Sequence, residues 1–195
     1  MNNVKASWIR DLCKVTEVDY LSIQEHFKKT KSVDNYFKEQ FSDHTSYVIP
    51  AYRDQCQDSG RPKGGLAQLT KKMLQVKSQR IVTKSFRIQA QILHFPTTKL
   101  LWINSYLPND PRTINYDDFE LMEILTEVEN IMDTSDFDDV CWLGDLNWDM
   151  ERQSGFSASM SRFSERLGLV SVWSKFPVEY THIHTDLTST STLSW

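Results

Sequence analysis

Cysteine is scarce. Cys13, Cys56 and Cys141 are the three in 195 residues, an odd number with no Cys-x-x-Cys spacing. That pattern fits neither a disulfide framework nor a zinc ribbon, and three reduced, buried thiols are expected. No apolar run approaches the roughly 18 residues of a membrane-spanning helix, and the N-terminus carries no apolar stretch of the signal-peptide kind. A soluble intracellular protein, nuclear or cytoplasmic and without a membrane partner, is therefore expected. Glycine and proline number only six each, with no Ser-, Gly- or Pro-rich linker and no internal repeat. Residues 1–195 accordingly read as a single domain. What is present suits a packed core: 39% hydrophobic residues and 12% aromatics exclude a disordered or low-complexity chain, and 25% charged residues is ordinary for a globular one.

The net charge of −4 says less than its distribution. Residues 1–112 hold 18 Lys and Arg against 10 Asp and Glu, a balance of +8; residues 113–151 hold 13 acids and no base; residues 152–195 are +1. A basic portion beside an acidic one is compatible with a polyanion steered to one face, and equally with a solvated acidic helix beside scattered lysines.

Periodicity alternates between strand and helix. Residues 6–15 place Trp8, Ile9, Leu12 and Val15 on one helical face. Residues 18–23 alternate as a strand ending at Gln24-Glu25, and Gly64-Gly65 reads as a turn feeding another. Residues 80–95 alternate through Ile88, Ala90 and Ile92, giving one or two more strands. Residues 100–106 form an apolar strand broken by Pro108 and Pro111. Asn115 is placed to cap a helix with Asp117 and Asp118 in its first turn and Phe119, Met122, Leu125, Val128 and Met132 inward. Residues 140–143 read as a short buried strand stopped by Gly144-Asp145. Residues 157–167 read as a helix burying Met160, Phe163 and Leu167. In mixed α/β folds of this kind, ligands sit where polar strand ends converge.

Four such ends stand out: Gln24-Glu25, Asn104 to Asn109, Gly144-Asp145-Leu146-Asn147 and Thr181-His182. Phosphodiester hydrolysis needs carboxylate oxygens for a hard cation, a base for water, and donors for the phosphate. Glu25, Tyr106, Asp145 and Asn147 supply that inventory, and on an extended segment residues 145 and 147 share a side. Each piece alone has a plainer reading. Gln24-Glu25 suits a solvated strand terminus, Gly-Asp-x-Asn a tight turn, and Tyr106 the closing of a strand. Lys28, Lys29, Lys31, Lys71 and Lys72 follow strand ends, as phosphate contacts or as routine surface lysines.

The stretches Tyr20-Leu21-Ser22-Ile23-Gln24-Glu25-His26, Arg61 to Ala67, Ile103 to Asp110, Trp142 to Asp149 and Tyr180-Thr181-His182 together resemble the endonuclease/exonuclease/phosphatase superfamily. The resemblance is closest to the apurinic-type endonuclease domains of non-LTR (LINE-type) retrotransposons. It implies a DNase I-like, four-layer α/β/β/α sandwich of two packed mixed β-sheets, here without most of the first strand and without the last. By position it makes Glu25 the metal-binding carboxylate, Tyr106 a contact to the scissile phosphate, and Asn109 a contact to the DNA backbone. Asp145 orients and deprotonates the attacking water, Asn147 holds the phosphate, and Thr181 sits at the rim. It further implies Mg²⁺ (or Mn²⁺) as cofactor and duplex DNA, nicked on one strand, as substrate. A monomeric domain is implied, whose partner in the parent element is the reverse transcriptase of the same polyprotein.

Two departures accompany the match. The family opens with an asparagine-bearing strand, where this chain has Asn2-Asn3-Val4 directly after Met1. It closes with an Asp-His pair, where this chain reads Ser194-Trp195. Removing such a pair commonly costs several kcal/mol of transition-state stabilisation, so an inactive remnant that at most binds DNA is one alternative. A same-fold phosphatase or phosphodiesterase acting on a phosphorylated headgroup is the other.

Overall fold

The computed structural model describes residues 1, 3–29, 32–52, 62–110 and 118–172. Their elements run α1 (Asn3–Val15), β1 (Tyr20–Ile23), α2 (Val33–Gln40), β2 (His44–Ile49), β3 (Leu66–Lys71), β4 (Lys77–Ile81), β5 (Ile88–His94), β6 (Lys99–Tyr106), α3 (Phe119–Thr134), β7 (Asp139–Asp145) and α4 (Gly155–Arg166). Two sheets stack face to face. The first, β1-β3-β2, is antiparallel throughout; the second, β4-β5-β6-β7, is mixed, with β6 and β7 parallel. The expectation of two mixed sheets holds for the second alone.

Helices cover both outer faces. Ala6 and Ile9 of α1 and Val33 and Phe37 of α2 pack on Ile23, Ala67 and Leu69 of the first sheet. Leu121, Leu125 and Val128 of α3 and Phe156, Met160 and Phe163 of α4 pack on Ile88, Ala90, Ile92, Leu101 and Ile103 of the second. Each fully buried Leu, Ile, Val, Phe or Met among them contributes about 1.5–3 kcal/mol by leaving water. The helix ends follow local chemistry. Ser154 caps α4 by accepting the Ser157 N–H at 3.0 Å, and Glu120 in the first turn of α3 favours the helix dipole.

Between the sheets lies a polar layer. Gln68, Gln89, Gln91 and Asn104 are buried there, because β3, β5 and β6 are covered on both faces. Gln89 Nε2 donates to the Tyr47 carbonyl at 2.8 Å, Gln68 Nε2 to the Trp102 carbonyl at 3.0 Å, and Trp102 Nε1 to Ser22 Oγ at 3.1 Å. These bonds tie sheet to sheet; each is worth about 1 kcal/mol net, and more is lost if one partner is removed.

Several expected faces differ. In α1 the buried residues are Ala6 and Cys13, while Trp8 is 49% and Val15 83% exposed; small side chains at the contact let the helix approach the sheet. In α3 the inward stripe is Leu121, Ile124, Leu125, Val128 and Ile131, and Phe119 and Met122 face outward. Asp118 is its N-cap; Asn115 and Asp117 lie outside the described residues. β7 is half-buried rather than buried, since among the described residues it pairs with β6 alone. Asn3 opens a helix rather than lying in a strand, and Asn2 is outside the described residues. Cys13 and Cys141 are free thiols, the first buried and the second half-buried; Cys56 is outside the described residues.

Candidate active site

Three strand ends converge at one edge of the sandwich. β6 and β7 run parallel with Tyr106 opposite Asp145, and β1 of the other sheet lies against β7. The parallel pairing depends on Gly144. Its φ is +137°, and a Cβ there would come within 1.9 Å of the Ser105 carbonyl oxygen. Only glycine lets β7 pass β6 closely enough to set Asp145 beside Tyr106.

Glu25 and Tyr106 meet across the two sheets. The Tyr106 hydroxyl hydrogen-bonds the Glu25 carboxylate, and its pKa is pushed up to about 12. Burial is the main cause, followed by that hydrogen bond and the negative charges of Glu25 and Asp145, with Arg87 opposing. Ionising the phenol would set an anion against two carboxylates. Tyr106 therefore remains an O–H donor through the whole physiological range and does not act as a base.

Beneath this pair is a second cross-sheet contact. Gln24 Nε2 donates to Asn104 Oδ1 at 2.6 Å. The fully buried Asn104 donates through Nδ2 to the carbonyls of Ile23 and Ala67 and to Gln89 Oε1, at 3.4, 3.3 and 3.2 Å. The residues immediately before Glu25 and two before Tyr106 thus clamp the sheets together under the site. In the sequence Asn104 is the first polar residue after an apolar run and Gln24 follows an alternating one, which marks the strand ends but not their pairing.

Asp145 and Asn147 are not aligned by strand alternation as expected. β7 ends at Asp145, and Asn147 has a left-handed backbone, φ +48°. The Asn147 N–H donates to Asp145 Oδ1 at 3.4 Å, a long Asx-type turn, and its Nδ2 donates to the Leu107 carbonyl at 2.8 Å. The tight-turn reading is therefore realised, with Asp145 at the end of β7 opposite Tyr106. Asn147 fastens the Leu107-Pro108-Asn109 segment to the end of β7, aided by the Leu107 N–H on the Asp145 carbonyl at 2.9 Å. Asn109 itself is exposed beyond buried Leu107 and Pro108. Asp110 then accepts the Ser154 hydroxyl at 2.8 Å, anchoring the segment to the cap of α4. Thr181 and His182 lie outside the described residues.

Arg87, just before β5, was not singled out by any motif. Its guanidinium donates to the Tyr106 carbonyl at 3.2 Å and pairs with Glu120 at 2.7 Å, with Cζ 5.3 Å from the Tyr106 ring centre. Of the lysines after strand ends, Lys28 sits 4.0 Å over the Tyr36 ring, Lys71 pairs with Asp19 at 3.6 Å, and Lys72 donates to the Ser42 carbonyl at 2.7 Å. Lys29 is exposed, and Lys31 lies outside the described residues.

Solved structures share this architecture. The catalytic domain of human Nocturnin with bound sulfate superposes with a TM-score of 0.60 at 16% identity, over 91% of this chain and 68% of that one. The fold is DNase I-like. The endonuclease domain of TRAS1, a telomere-specific non-LTR retrotransposon, matches with a TM-score of 0.58 at 9% identity, over 86% of this chain and 68% of that one. D. rerio TDP2 complexed with a single-strand DNA product matches with a TM-score of 0.52 at 16% identity over 88% of this chain. The DNase I-like chain spans 62% of that TDP2 structure, less than two thirds of its length. No protein-family model and no curated protein matches the sequence. Among the described residues no helix is long and apolar enough to cross a membrane.

The donors at the strand ends are hard oxygens, from Glu25 and Asp145. Among the described residues no group of three or more His, Cys, Asp or Glu side chains is disposed to hold a metal. A cation bound here would keep water or substrate oxygens in most positions, the habit of Mg²⁺ rather than of zinc. The residues present fit that kind of ion.

Proposed function

We propose that the chain is a divalent-metal-dependent phosphodiesterase that nicks duplex DNA, an endonuclease of the retrotransposon type. The observation that carries this reading is the Tyr106–Glu25 hydrogen bond with Asp145 beside it, which gathers two carboxylates and a permanent O–H donor at three strand ends. Glu25 holds the metal, Mg²⁺ or Mn²⁺, which when bound neutralises charge on the phosphate. With substrate bound, Tyr106 turns its one hydroxyl hydrogen from Glu25 to a phosphate oxygen, since its pKa of about 12 keeps the phenol protonated. Asp145, exposed at the end of β7, orients water and takes its proton. Asn147 keeps the phosphate-side loop in place and offers its remaining amide hydrogen. Asn109, exposed on that loop, meets the DNA backbone. Duplex DNA is favoured over a phosphorylated headgroup by the balance of +8 over residues 1–112, which includes Lys28 and Lys29 just beyond Glu25. The likeness to the TRAS1 endonuclease domain points the same way.

Nicking of supercoiled plasmid by the purified chain, with Mg²⁺ or with EDTA, tests this directly. Mg²⁺-dependent nicking that falls at least a hundredfold in both Glu25→Ala and Asp145→Ala is the expected result. Folded protein that leaves the plasmid intact, or hydrolyses phosphoinositides in its place, would overturn it.

A further inference from the structure

Glu25 and Phe27 both have left-handed backbones, φ +51° and +57°. Residues with bulky side chains take that conformation only where their surroundings impose it. Backbone bonds supply part of the constraint: the His26 N–H reaches the Gly65 carbonyl at 3.4 Å and the Phe27 N–H the Gly64 carbonyl at 3.2 Å. The rest comes from the side chain between the two strained residues. His26 is 1% exposed. Its Nδ1 accepts the Lys28 N–H at 3.0 Å, which assigns the ring hydrogen to Nε2, and Nε2 donates to the Ile49 carbonyl at 3.0 Å. One face of the segment is thereby pinned to the end of β2 and the other to its own next turn. The ring also meets Phe37 of α2 edge-on, with centres 5.2 Å apart. Opposite it stands Gly65, φ +96°, where a Cβ would come within 2.5 Å of His26 Cε1 and 2.8 Å of both ring nitrogens. The imidazole occupies space that only a glycine leaves, and both its nitrogens are committed to backbone.

We infer that His26, seated against Gly65, is a positioning residue that imposes the left-handed turn at Glu25 and so sets the Glu25 carboxylate on the Tyr106 hydroxyl. Its consequence for metal binding rests on the reading of Glu25 as the metal carboxylate; the placement of that carboxylate does not. A histidine that merely filled the core would lower stability when replaced and leave Glu25 where it is in the molecules that remain folded.

The test follows the ¹³C carboxyl resonance of Glu25, assigned by its loss in Glu25→Gln, in metal-free protein. Manganese affinity is measured alongside by calorimetry, and folding by thermal melts. His26→Leu removes both ring bonds. It is expected to shift the Glu25 resonance and weaken Mn²⁺ at least tenfold, the scale typical of groups that orient a metal ligand. His26→Asn retains an oxygen able to accept the Lys28 N–H, as in an Asx turn, and is expected to keep both readouts near those of the unaltered chain. Gly65→Ala is expected to displace the same resonance from the opposite side. Its effect should be smaller in the Gly65→Ala/His26→Asn double variant, where the shorter side chain makes room for the methyl. If His26→Leu does not fold, the Asn and Gly65 variants carry the comparison. A Glu25 resonance and Mn²⁺ affinity unchanged in folded His26→Leu or Gly65→Ala would overturn the inference. Absence of any Glu25-dependent Mn²⁺ binding in the unaltered chain, with the resonance still displaced by His26→Leu, would overturn the metal reading and support the positioning role.

Discussion

Replacing Asn104 by aspartate changes almost nothing in shape and reverses one hydrogen-bonding atom. The Asn104 amide nitrogen faces three acceptors, the carbonyls of Ile23 and Ala67 and Gln89 Oε1, at 3.2–3.4 Å, in a position with no solvent exposure. An ionised carboxyl there would turn a negative oxygen toward three others, with Gln24 Nε2 as its one side-chain donor among the described residues. The side chain avoids this by binding a proton. At pH 7 that costs a carboxyl of ordinary pKa near 3.9 about 4 kcal/mol, which caps the charge penalty. The protonated form still has one hydrogen where the amide has two, which adds about 1 kcal/mol. Asn104→Asp is therefore expected to destabilise the fold by about 5 kcal/mol at pH 7 and by only about 1 kcal/mol at pH 4. The sign follows from proton counts: between those limits the folded variant holds a proton that the unfolded chain has released, so its stability falls as pH rises, by about 1.4 kcal/mol per unit. Urea unfolding of both proteins from pH 4 to 7 measures it, and titrations common to both cancel in the difference. A difference below about 1 kcal/mol at pH 7, or one that does not change with pH, would refute the clamp.

Gly144→Ala is expected to cost roughly 4 kcal/mol or to prevent folding, because its methyl would meet the Ser105 carbonyl 1.9 Å away on a backbone of φ +137°; a melting temperature near that of the unaltered chain would refute it. The pKa of His26 is pushed down to about 4, first by burial. The unfolded chain then takes up a proton near pH 6.5 that the folded chain declines. Stability should be full above pH 6.5 and fall by about 3 kcal/mol as pH drops to 4, a slope that urea midpoints would reveal and that His26→Asn should flatten. Tyr106→Phe removes the donor to Glu25 and, on the proposed reading, to the phosphate. Nicking should slow by about a hundredfold with little change in stability, and undiminished nicking would deny Tyr106 that role.

The parts of the fold legible in the sequence are those where local pattern and tertiary environment agree. β1, β3, β6 and β7 follow apolar runs that end in Gln24, begin at Gly64-Gly65, or end at Tyr106 and Asp145. α2 and β2 carry weak local signals, since α2 buries only Val33 and Phe37 and β2 is mostly half-buried. The alternation Ile88, Ala90, Ile92 marks the face of β5 under the helices. Nothing local says that Gln89 and Gln91 are buried too, because that depends on the first sheet lying across them. The same limit applies at the site. The motifs bring Glu25, Tyr106 and Asp145 to strand ends, and the structure joins them. The αL turn at Asn147, the Gln24–Asn104 clamp and the seat of His26 on Gly65 are long-range facts, invisible in spacing. Helix faces shifted for a related reason. α1 turns Ala6 and Cys13 inward because close packing selects small side chains over the bulk of Trp8.

The central claim is that the ends of β1, β6 and β7 form one phosphate-cleaving site built around Glu25. A crystal of the chain with Mn²⁺ and a short DNA duplex, measured at the manganese absorption edge, tests it most directly. The account predicts an anomalous peak at the Glu25 carboxylate, with a DNA phosphate between it and the side chains of Tyr106 and Asp145. Manganese bound elsewhere, or DNA bound with no phosphate at these strand ends, would contradict it.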